Sequence, residues 1–106
     1  MKKGIEGLDD SLLLKVAEKI CEDALKKEIL LELDNRGLVE MAEVYKSIRD
    51  RCKEASYSKF FVRIRTLTGS GLIKKIKPKK LGIGNVVFLE LTDTGKKIVK
   101  LIKESL

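Results

Sequence analysis

After Gly71 the hydrophobic period of this chain changes, and that change limits the folds open to it. Upstream, apolar residues recur at helical spacing, first Val44, Ile48 and Cys52 and then Phe60, Ile64 and Leu67. Downstream they alternate, with Val87, Leu89 and Leu91 set against Val86, Phe88 and Glu90. Two short helices running at once into a hairpin predict a mostly helical α+β chain, closed by a last helix after the second strand. At 106 residues it is read as one domain.

The remaining elements follow from caps and breakers. Asp9 or Asp10 can cap a first helix, whose apolar residues from Leu12 to Leu25 cover an arc of about 220°, wider than one buried stripe needs. Either this helix runs on, or Asp23 breaks it and Ala24–Asp34 forms a second one that Asn35-Arg36-Gly37 stops in a left-handed turn. Leu38-Val39-Glu40 is a stub of strand. Helices are expected over Met41–Cys52 and, capped by Ser56, over Tyr57–Leu67. Thr68–Gly71 ends it, since Gly69 and Gly71 tolerate the positive φ that closes a helix. Leu72–Lys77 and Val86–Leu91 read as strands joined by the turn Pro78–Asn85, and Thr92 caps a helix over Asp93–Ser105. In that helix Ile98, Val99, Leu101 and Ile102 again spread broadly. The two wide arcs suggest a second copy as partner, with Leu12, Leu13, Val16, Ile20, Ile98, Leu101 and Ile102 at a two-fold interface.

Charge is concentrated in one third of the chain. The formal net charge is +7. Residues 1–45 are net negative, whereas 46–80 hold Lys46, Arg49, Arg51, Lys53, Lys59, Arg63, Arg65, Lys74, Lys75, Lys77, Lys79 and Lys80 against only Asp50 and Glu54. Such a local excess attracts a polyanion; the plainer alternative is a solvated face. With Phe60, Ile64 and Leu67 turned inward, Ser58, Val62 and Arg65 of the fourth helical pattern point outward, flanked by Lys59 and Thr66. Tyr57 opens the helix and Arg63 lies near its buried edge. Those residue types suit a major groove, because Arg forks onto guanine and Val meets a thymine methyl. Otherwise Phe61 and Val62 pack on a neighbour. Lys74 and Lys77, with Lys79 and Lys80 beside Pro78, can meet phosphate, or can guard a strand edge.

Much chemistry is excluded. The chain has no His, so no His-based triad or His metal ligand can form. Cys21 and Cys52 make no CxxC and are read as reduced packing residues. No carboxylate pair, nucleophile–base pair or phosphate-cradling loop can be assembled, and no catalytic residue, metal or cofactor is expected. No apolar run nears the ~20 residues of a membrane span, and Met1–Lys15 lacks the shape of a signal peptide, so a cytoplasmic protein is expected. Gln is absent and Asn occurs twice beside 18 Lys, a bias of heat-adapted proteins.

Two phrases resemble a known family. Leu67-Thr68-Gly69-Ser70-Gly71-Leu72-Ile73 is similar to the Leu-x-x-x-Gly-Leu-Ile junction of winged helix-turn-helix DNA-binding domains, and Leu91-Thr92-Asp93-Thr94-Gly95-Lys96 to their Leu-Thr-x-x-Gly-basic approach to the closing helix. The resemblance spans roughly 24–105 and points to MarR-like and archaeal regulators. It implies Tyr57–Thr66 as recognition helix and Lys74–Val87 as wing, within a core over 24–91 between a dimerisation helix at 9–23 and a C-terminal helix at 92–106. The implied function is a homodimeric, sequence-specific regulator on double-stranded DNA, with no small-molecule effector indicated. The wing departs from the MarR-like pattern, having lysines in place of an Asp-x-Arg pair. Alternatives are a protein-interaction subunit of a larger complex and a non-specific chromatin or RNA binder.

Overall fold

A computed structural model describes residues 10–52, 55–77 and 86–105. The elements are α1 (Asp10–Cys21), α2 (Ala24–Arg36), β1 (Val39–Glu40), α3 (Met41–Arg51), α4 (Tyr57–Gly69), β2 (Ile73–Ile76), β3 (Phe88–Leu91) and α5 (Asp93–Ser105). Asp23 decides between one long helix and two. Its Oδ1 accepts from the amides of Leu25 at 3.0 Å and Lys26 at 3.2 Å, capping α2 and ending the run. Gly37, at φ 76°, closes α2 by donating its N–H to the Leu33 carbonyl. At α4 the Ser56 hydroxyl accepts from Lys59 N–H at 3.2 Å.

The expected hairpin strands are present but shorter than their alternation suggests, and the turn Pro78–Asn85 lies outside the described residues. Of Gly69 and Gly71, the second takes positive φ, at 81°, while Gly69 still belongs to the last turn of α4. The stub β1 becomes the third strand of an antiparallel sheet ordered β1-β3-β2. Val39 pairs with Leu89 on one side of β3, while Ile73 pairs with Leu91 on the other.

The core gathers beneath α4. Phe60, Ile64 and Leu67 are buried against Ile29, Leu30 and Leu33 of α2, Val44 and Ile48 of α3, and Ile73 and Leu89 of the sheet. The two sequence phrases are one junction in space. Thr92 Oγ1 donates to the Gly71 carbonyl at 2.6 Å and accepts from Gly95 N–H at 3.0 Å, and Thr92 N–H reaches the Leu72 carbonyl at 3.0 Å. A Cβ on Gly95 would overlap the Leu72 carbonyl oxygen, so the backbone approach itself requires glycine there.

The end helices pack on each other, which accounts within the single chain for part of their wide apolar arcs. Leu13, Ile20, Ile98 and Ile102 are each 6% exposed or less within the single chain, where α1 lies against both α5 and α2. An arc broader than one stripe is what a helix needs to bury itself between two neighbours. Leu12, Val16 and Leu101 alone of the seven keep part of their side chains accessible.

Candidate nucleic-acid interface

α4 carries no acidic residue, and its outer strip is open. Ser58, Lys59, Val62, Arg65 and Thr66 are all exposed, Val62 at 50%, and Tyr57 stands at the N-terminal end at 52%. The inward triplet sets this orientation, since at 100° per residue burial of Phe60, Ile64 and Leu67 turns Ser58, Val62 and Arg65 to solvent. Thr66 Oγ1 donates to the Val62 carbonyl at 3.0 Å, so its hydroxyl hydrogen is engaged within the helix while its lone pairs stay available.

Several cations of the basic third are held by carboxylates. Arg63 Nε donates to Asp23 Oδ2 at 3.1 Å, which fixes the edge of α4 to the cap of α2 and leaves only the guanidinium tip for an outside anion. Arg51 pairs with Glu28 at 3.0 Å and Glu32 at 3.1 Å. Burial of the Glu32 carboxyl would raise its pKa, but hydrogen bonds from Ser47, Arg36 and Arg51 outweigh it and hold the group below the ordinary glutamate range. Lys74 faces its cross-strand neighbour Glu90 at 3.4 Å. Arg65 makes no ion pair among the described residues, and Lys77 is exposed at the end of β2. Lys79 and Lys80 lie outside the described residues.

Sequence reasoning missed two positioning features. Lys75 Nζ sits 5.3 Å from the centroid of Phe61, so the first wing strand is tied to the side of α4 by a cation–π contact. Tyr45 meets Tyr57 edge-on at 5.3 Å and Phe60 at the same centroid distance, bracing α3 against α4. Aromatics at positions 57 and 61, one helical turn apart, were the available signal for such a side contact. Among the described residues no cluster of three or more His, Cys, Asp or Glu could hold a metal ion, and no helix is long and apolar enough to cross a membrane.

No protein-family model matches the chain, and no curated protein matches it. Among solved structures it is similar to a candidate transcriptional regulator from Thermoplasma acidophilum, at 22% identity over 82% of each chain with a TM-score of 0.64. The likeness is one of fold. The chain has an α+β fold of winged-helix type, in which α3 and α4 lead into the antiparallel pair β2 and β3, with α1 and α5 at the ends.

Proposed function

We propose that this chain is a transcriptional regulator that reads double-stranded DNA by laying the outer strip of α4 in the major groove. The observation that carries the reading is the acid-free, exposed row Ser58, Val62 and Arg65, on a helix fixed from behind by Phe60, Ile64 and Leu67. Arg65 supplies a fork for guanine and Val62 an apolar contact for a thymine methyl. Lys59, Lys77 and the wing lysines Lys79 and Lys80 meet phosphates, with Lys74 a further cation that must first loosen from Glu90. The protein acts by occupying a promoter, without covalent chemistry. The fold shared with the Thermoplasma acidophilum protein agrees with this reading.

In the dimeric form of this proposal, two α4 helices would enter successive major grooves about one helical turn apart. The interface is then centred on Leu12, Val16 and Leu101, because Leu13, Ile20, Ile98 and Ile102 are buried within the protomer. Selection of bound duplexes from a random pool at two salt concentrations tests the function. Enrichment of one sequence motif at both concentrations is expected. Failure to retard any duplex in dilute buffer overturns the reading.

A further inference from the structure

The N-terminal 45 residues are net negative, yet the fold brings three of their lysines beside α4. A groove of about 490 Å³ runs between α1, the first turn of α2 and the C-terminal half of α4. Val16, Ile20, Leu67 and Leu72 line it with apolar side chains, and Thr66 and Ser70 form its α4 wall. Lys15 and Lys19, one turn apart on α1, and Lys26 on α2 complete it. None of the three lysines makes an ion pair among the described residues.

The position of this groove gives the lysines a direction. The outer strip of α4 has two sides. On one, Phe61 meets Lys75 of β2, which puts the wing strand there. On the other lie Arg63, held by Asp23, and Thr66 and Ser70, which face the α1–α2 corner. A helix seated in a major groove has a phosphate ridge along each side. The wing strand supplies cations to one ridge, and Lys15, Lys19 and Lys26 add cations beside Arg63 on the opposite side. We infer that the α1–α2 corner is a second backbone clamp, with these three lysines contacting phosphates on the side of α4 away from the wing. This rests on the DNA-binding reading above and adds to it a surface that the charge distribution along the sequence conceals.

The test is the salt dependence of duplex binding, followed by fluorescence anisotropy for the full chain and two triple variants. One is Lys15→Gln/Lys19→Gln/Lys26→Gln. The other, Lys96→Gln/Lys97→Gln/Lys100→Gln, removes the same charge from exposed positions of α5. Each neutralised phosphate contributes about 0.9 to the slope of log K against log salt. The α1–α2 variant is expected to flatten the slope by about 2.7, with equal loss on selected and random duplex and an unchanged melting temperature, while the α5 variant keeps the slope of the parent. Equal slopes for both variants overturn the clamp even when the parent binds DNA, and leave the groove to an acidic protein partner. A parent chain that binds no duplex overturns the DNA-binding reading, and the clamp with it.

Discussion

The junction of Gly71, Thr92 and Gly95 and the outer strip of α4 are governed by different constraints. At the junction, backbone passes so close to backbone that residue identity is dictated: Gly95 has no room for a Cβ, and Thr92 supplies both donor and acceptor to chain segments 20 or so residues apart in sequence. On the strip, Ser58, Val62 and Arg65 touch little of the molecule, and folding would accept many other residues there. Identity at the junction therefore reports the fold, whereas identity on the strip reports what the protein meets.

The strongest way to break that contrast is Gly95→Ala. The added methyl must push the α5 N-terminus off the Leu72 carbonyl, so a loss of about 3 kcal/mol in denaturant-melt stability is expected. A neutral result would mean that the junction is not the constraint described. Next in size is Glu32→Gln. The Glu32 carboxyl has its pKa lowered in the fold, so its contribution is present above the ordinary glutamate value of about 4.3 and is lost as pH falls through the lower native value. The variant should be less stable than the parent by about 1–2 kcal/mol at pH 7, and the gap should narrow as pH falls below the ordinary glutamate range in parallel urea melts. A gap independent of pH would remove the ion-pair explanation.

Asp23 lies outside both regions but ties the α2 cap to the edge of the helix that carries the strip. Its Oδ1 caps α2 and its Oδ2 holds Arg63. Asp23→Asn keeps a capping side chain and should cost under about 1 kcal/mol, whereas Asp23→Ala also loses the cap, at about 1 kcal/mol more. Equal melting of the two variants would show that capping is not what Asp23 contributes.

Most of the fold was legible because its signals are local. The helical spacing of Phe60, Ile64 and Leu67, the caps Ser56 and Thr92, and the stop at Gly37 each act within a few residues, and the observed elements follow them. What the sequence hid was tertiary. The β1–β3 pairing joins residues about 50 positions apart, and nothing in Leu38-Val39-Glu40 names its partner. The arcs of the end helices do not reveal that α1 and α5 cover each other within one chain. The site was half legible. Periodicity alone finds the outward row of α4, but charge counted along the chain overstates the basic third, since Arg51 and Arg63 are held by carboxylates from α2 and its cap. It likewise misses Lys15, Lys19 and Lys26 beside α4.

The claim that the outer strip reads bases rests most directly on Arg65. Binding of the parent and of Arg65→Ala to a selected duplex and to its shuffled counterpart, at one salt concentration, measures it. The account predicts that the variant keeps its affinity for the shuffled duplex to within the effect of one phosphate contact, and loses about 1–3 kcal/mol of preference for the selected one. Equal weakening on both duplexes would contradict it.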